Sequence, residues 1–223
     1  MMLSFHGGSG TLEGEKPLQG LRFGNALLAV SAIVWLAAAI APVDRAAWLL
    51  ENIVLAAAVA WVIVTRRKWP LSRTSYLLLF IFFVLHVVGA HYTYSATPLG
   101  DWLRGVFHTK RNHYDRLVHF LFGLLTVYPI REQIGGALRI SKKSAYVFAF
   151  MLIVVISTAY ELLEWLAAEI VSTENTFAFV GSQGDMFDSQ KDTALAVVGA
   201  LLGIGVNALF TSRSSRHSLK IRE

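Results

Sequence analysis

The chain has no cysteine among its 223 residues. That removes disulfides, thiolate metal sites and cysteine nucleophiles together. Charge is scarce too: Asp, Glu, Lys and Arg make up 16%, against about a quarter in ordinary soluble domains. With 55% apolar residues and a mean hydropathy of +0.52, an ordinary soluble fold is excluded. No GxSxG, Walker, Rossmann or HExxH pattern appears, so the enzyme classes those motifs mark have no support. The opening stretch MMLSFHGGSGTLEGEKPLQG lacks a basic region followed at once by an apolar core. It does not read as a signal peptide.

What the chain does have is apolar blocks near twenty residues long, the length that crosses a bilayer as helix. Six are expected: 24–42, 47–65, 74–95, 114–130, 144–169 and 190–210. The fold class is therefore all-α, a polytopic bundle of about six transmembrane helices. A single domain over 23–211 is expected between a flexible N-terminal tail (1–22) and a basic C-terminal tail (212–223).

The net charge of +5 reads as topogenic, not as a nucleic-acid footprint, because Lys and Arg concentrate in cytoplasmic loops. Fourteen of the 20 Lys and Arg fall on the side that holds both termini, loop 66–73 and loop 131–143. Both termini are thus expected in the cytoplasm, and the opposite loops in the periplasm.

That orientation sends the ionisable residues of the last four spans to one face. His86 and His91 lie late in the third span, Asp115 and His119 open the fourth, and Glu161 and Glu164 sit late in the fifth. Asp185, Asp188 and Asp192 open the sixth. Asp115 and His119 are spaced to share a helix face, as are Glu161 and Glu164. The three aspartates follow i, i+3, i+7 if their helix begins near 185. His86 and His91 lie about 140° apart around a helix and converge only if the helix breaks, which Gly89 permits. Each piece has a structural alternative: Asp185, Asp188 and Asp115 as helix caps, Glu161 and Glu164 as the exposed end of a tilted helix, His86 as a satisfied core histidine.

Acids crowded this closely cannot all ionise without a cation or shared protons. A divalent metal with mixed His and carboxylate ligands resolves the excess. His119, Glu161, Asp188 and Asp192 are the expected ligands. Asp115, Glu164, Asp185 and His86 are expected in acid–base or supporting roles, and His91, Tyr92, Gln183 and Trp165 are further candidates. The site would lie at headgroup depth, so a lipid or lipid-linked molecule is the expected substrate and metal-assisted hydrolysis the simplest chemistry. Two alternatives stay open: a cation or proton-coupled transporter, and a structural polar lock between helices. Trp102, Trp165 and Tyr94 suit an interfacial aromatic belt, and Gly199–Gly203 forms a small-xxx-small surface for close packing.

Four blocks, HVVGAHYTYSATPLGDW (86–102), HYDRLVHFLFGLL (113–125), ELLEWLAAE (161–169) and GSQGDMFDSQKDTALAVVGALLG (181–203), together resemble the YjdF-like family of bacterial inner-membrane proteins. The resemblance implies a multi-pass inner-membrane protein and brings no activity with it. The layout of Asp115/His119, Glu161 and Asp188 with Gly199 is also similar to that of VanZ-like membrane proteins.

Overall fold

A computed structural model describes residues 11–170 and 183–220, with side chains described over 20–170 and 183–209. Seven helices are present among the described residues: α1 (Thr11–Ala38), α2 (Arg45–Thr65), α3 (Arg73–His91), α4 (Pro98–Phe107), α5 (Tyr114–Leu138), α6 (Lys142–Ile170) and α7 (Asp188–Lys220). The described residues contain no strand. Five stretches are long and apolar enough to cross a membrane: Gly20–Ala38, Arg45–Thr65, Arg73–His91, Lys142–Ile170 and Asp188–Leu209.

The expected fourth span is α5, whose apolar character is diluted by Asp115, Arg116 and His119 at one end and Arg131 and Glu132 at the other. Its position explains why it tolerates them. It packs against α3, α6 and α7, so most of its surface meets protein rather than lipid.

Helix boundaries depart from expectation at both termini. α1 is helical from Thr11, inside the stretch read as tail, and α7 runs to Lys220, past the expected end at 210. The physical reason is the same in both places. An apolar run marks where a helix can cross lipid, not where helical backbone begins or ends.

The core is built from three stripes at four-residue spacing, the repeat that keeps side chains on one helix face. On α6 it reads Ala145, Ala149, Ile153, Ser157, Glu161, all buried. On α7 it reads Asp188, Asp192, Ala196, Ala200, also all buried. On α5 it reads Asp115, His119, Gly123, Val127. Each stripe is polar at one end and small or apolar along the rest. Because α6 runs opposite to α5 and α7, all three polar ends meet at the same end of the bundle.

Glycine brings two of the stripes together. A Cβ on Gly123 would run into the carbonyl of Ala196, and one on Gly199 into the carbonyl of Phe120. At Gly203 it would come within 2.8 Å of the Leu124 carbonyl. The Gly199–Gly203 surface therefore packs backbone to backbone on α5, as small-xxx-small pairs do. This contact sets Asp188 and Asp192 beside Asp115.

Two sequence expectations fail here for local reasons. α3 is continuous through Gly89, so His86 and His91 diverge. Gly89 serves a different purpose, since a Cβ there would lie 2.5 Å from the ring of Tyr94. Tyr94 is accordingly buried, not part of an interfacial belt, while Trp102 and Trp165 are exposed as a belt requires. The short α4 lies between the expected third and fourth spans. Its apolar residues Leu99, Trp102, Val106 and Phe107 are exposed, the arrangement of a helix lying along an interface.

Candidate functional site

The three polar ends assemble one buried cluster, and two arginines sit inside it. Arg111 Nη2 lies 2.6 Å from Asp188 Oδ2 and 3.8 Å from Asp115 Oδ2. Arg116 Nη2 reaches Asp188 Oδ1 at 3.1 Å and also pairs with Asp185. The N-terminal approach and first turn of α5 thus supply both guanidinium groups, and α7 supplies their shared partner. Asp185 belongs to the turn before α7, not to the helix, because α7 begins at Asp188. Its carboxylate caps the Phe187 N–H at 3.1 Å. Hydrogen bonds from Lys191 first, then from the Phe187 N–H and Arg116, hold its pKa far below the usual carboxylate range.

His119 is the centre of the second half of the cluster. Its Nε2 lies 3.2 Å from Glu161 Oε1 and 3.6 Å from Asp115 Oδ1, and its Nδ1 lies 3.4 Å from Ser157 Oγ. Asp115, Asp188 and Asp192 each offer a carboxylate oxygen, and these three atoms all lie within 4.8 Å of one another. Asp192 is 1% exposed, and its Oδ1 has no hydrogen-bond partner.

A charge count tests whether a cation fits. Asp185 and Lys191 pair with each other. With all four ionised, Asp115, Glu161, Asp188 and Asp192 outnumber the charges of Arg111 and Arg116 by two, an excess that one divalent ion or two shared protons would balance. Oxygen-only ligands suit hard divalent ions such as Mg²⁺, Mn²⁺ or Ca²⁺, and one such ion balances the excess. The convergence and the expected ligand set overlap at Asp188 and Asp192. Asp115, expected in a supporting role, stands among the three converging carboxylates, while His119 and Glu161, expected as ligands, stand beside them.

The remaining expected residues distribute as follows. His86 is buried on α3, with Nδ1 2.7 Å from Tyr94 Oη and Nε2 3.3 Å from the Glu51 carbonyl. It faces Tyr160 at a ring separation of 6.4 Å, and Tyr160 in turn faces His119 at 6.0 Å. Glu164 is half-buried and lines a separate cavity of about 240 Å³ with Glu51 and Tyr160. It does not join the aspartates, because a step of three residues on α6 rotates it away from the Glu161 stripe.

His91 and Tyr92 lie outside the cluster. His91 Nδ1 binds the Ala38 carbonyl of α1 at 2.8 Å, and Tyr92 packs edge-on against it. Gln183 clamps the backbone of Asn112, accepting from its N–H and donating to its carbonyl at 2.9 Å each. Asn112 is fully buried and binds Thr97 and Asp101 around α4. Gln183 therefore closes the loops over the cluster and is not in it. Trp165 is 57% exposed on the outer face of α6.

Three residues of this region had no role assigned from the sequence, although Arg111 is one of the few basic residues near this face. Arg111 stands in a polar loop and gave no sign of burial. Tyr160 donates a hydrogen bond to Glu51 Oε2, joining α6 to α2. Glu51 was findable: it is the one acid within the apolar run AWLLENIVLAAAVAWVIVT, and an intramembrane acid marks a polar partner.

Comparison with known proteins agrees with this architecture. The family model described as "Predicted membrane protein (DUF2238)" matches residues 23–213. Inner membrane protein YjdF of Escherichia coli (strain K12) is 32% identical over 174 residues, covering 78% of this chain and 83% of that protein. No solved structure matches. With five apolar spans among its described residues, and matched by this family model over most of its length, the chain is an integral membrane protein of the YjdF/DUF2238 family.

Proposed function

We propose that the cluster binds a divalent cation and that the protein is a metal-dependent hydrolase acting on a lipid or lipid-linked substrate from the periplasmic side of the inner membrane. The observation that carries the reading is the convergence of three buried carboxylate oxygens from Asp115, Asp188 and Asp192, with Asp192 Oδ1 lacking any other partner. The bound ion would supply Lewis acidity and an acidified water. His119, with Nε2 between Asp115 and Glu161 and Nδ1 beside Ser157, would form the site's acid–base group together with those two carboxylates. Arg111 and Arg116 hold Asp188 in position. The periplasmic assignment rests on the excess of Lys and Arg on the opposite side.

The test is elemental analysis of detergent-purified protein beside an Asp192→Asn variant. This substitution removes the unpaired carboxylate and leaves both arginine pairs intact. Near-stoichiometric divalent metal in the parent and its loss in the variant are expected. No metal in either protein, after incubation with Mg²⁺, Mn²⁺, Ca²⁺ and Zn²⁺ in turn, overturns the reading.

A second reading has its own support. The 2.6 Å Arg111–Asp188 pair and the bridging Arg116 also suit a polar lock between α5 and α7. In that case Asp192→Asn leaves folding intact or improves it, with no metal-linked phenotype. The transport alternative gains nothing comparable, since the core beyond the cluster is Val127, Ala149, Ile153, Ala196 and Ala200.

A further inference from the structure

A cavity of about 580 Å³ forms a trough walled by α2, α3, α5 and α6. Its volume falls in the usual range for a bound organic ligand, roughly 300–1,000 Å³. Its two ends differ. One is polar, lined by His86, Tyr94, His119, Ser157 and Tyr160. The other reaches Trp61, Leu71 and Leu138 and is apolar apart from Gln133.

On α5 the lining runs from His119 to Leu138, a rise of about 28 Å at 1.5 Å per residue. The hydrocarbon core of a bilayer is about 30 Å thick. The trough is therefore long enough to take an extended chain across much of the bilayer core. The trough is open on one side. Trp61, Leu138, Leu152 and Ile156 line it and are themselves exposed. α2 leans on α3 and is tied to α6 by the Tyr160–Glu51 hydrogen bond at the polar end.

We infer that the trough binds a single hydrocarbon chain of a membrane lipid, which enters sideways from the bilayer, with the lipid's polar group at His119, Ser157 and Tyr160. The charge and polarity along the cavity select this occupant. From Phe122 to Leu138 only Thr126 and Gln133 interrupt the apolar lining on α5, so a soluble ligand finds few polar partners over most of the length, whereas a hydrocarbon chain is matched along it. His119 belongs both to this end and to the acid cluster, so a chain seated here presents its head-group linkage to the carboxylates. The inference rests on the reading of that cluster as the reactive end, and it deepens it by assigning the substrate's tail.

The experiment is photolabelling in nanodiscs of phosphatidylethanolamine and phosphatidylglycerol carrying a trace of phosphatidylglycerol with a diazirine in its acyl tail. EDTA is present throughout, so the readout does not depend on metal. Peptide mass spectrometry then locates the label. Several-fold enrichment at Phe122, Ile130 and Ile134, which line the trough, over Val147 and Val155, which are exposed and do not line it, is the expected result. An Ala58→Trp variant, which fills the trough from α2, is expected to lower trough labelling several-fold and leave labelling at Val147 and Val155 unchanged. Equal labelling of trough and outer face, or trough labelling indifferent to Ala58→Trp, overturns the inference. Metal bound without trough labelling leaves the cluster standing with a substrate lacking this tail. Trough labelling without metal leaves the lipid site standing and removes the hydrolase reading.

Discussion

α5 and α7 touch backbone to backbone, whereas α2 and α6 stand far enough apart to leave the trough between them. Composition does not explain the contrast. α2 carries its own run of small residues, AAAVA at 56–60, and those alanines are exposed or nearly so. Within lipid there is no hydrophobic drive between helices, so association depends on packing and hydrogen bonds. Small residues close a helix pair only where both partners present them in register. Gly123 on α5 meets Ala196 on α7, and Gly199 meets Phe120. α2 has no such counterpart on α6, and its hydrogen bond from Tyr160 to Glu51 fastens one end alone.

The comparison breaks most directly at Gly199. Gly199→Leu drives a side chain into the Phe120 carbonyl and is expected to destabilise by about 3 kcal/mol or more, read as a lowered Tm in detergent. Ala58→Leu, on the trough side, is expected within about 0.5 kcal/mol of the parent. Equal costs at the two positions would show that the trough is as tightly packed as the α5–α7 seam.

A loss of about 3 kcal/mol is also expected for Arg111→Ala, at the low end for breaking a buried pair, because it strands Asp188 beside Asp115 and Asp192. Adding Asp188→Asn should recover part of it, measured by the same unfolding assay. A loss unrelieved by the second substitution would separate Arg111 from Asp188 energetically.

The smallest effect is expected at Asp185, on the rim. Its pKa is lowered in the folded protein, so its contribution is complete above the unfolded value of about 3.9 and is lost as pH falls through the lower folded value. The Tm difference between the parent and Asp185→Asn should therefore be constant from about pH 8 to pH 5 and shrink below about pH 4. A difference that grows on acidification contradicts the pairing with Lys191 and Arg116.

The polar ends of α5, α6 and α7 were legible because charge inside apolar runs is rare and helical spacing is regular. Asp115, His119, Glu161, Asp188 and Asp192 needed only those two facts and a consistent orientation. The rest depended on contacts between distant segments. Nothing local says that Arg111, four residues before Asp115, folds inward to reach Asp188. Gly89 looked like a hinge because a glycine's freedom is visible in sequence, whereas the Tyr94 ring stacked on it is not. Asp185 left the helical phase because the turn Gln183–Gly184, with positive φ at both residues, starts α7 three residues later than the spacing suggested. Glu51 stands in the second span, apart from the four that carry the cluster, and its partner Tyr160 lies more than a hundred residues away on α6.

The Arg116 bridge has a consequence for how the protein is made. Helices leave the ribosome in chain order, so α5 enters the membrane with Arg111 and Arg116 at its N-terminal end before α7 exists. α7 then arrives with Asp188 and Asp192 at the end of an otherwise apolar segment. The arginines are its waiting counter-charges. With either removed, α7 must place two aspartates at that depth with fewer partners, so its failure would appear as a helix left outside the bilayer during biogenesis, before any folded bundle exists to be destabilised.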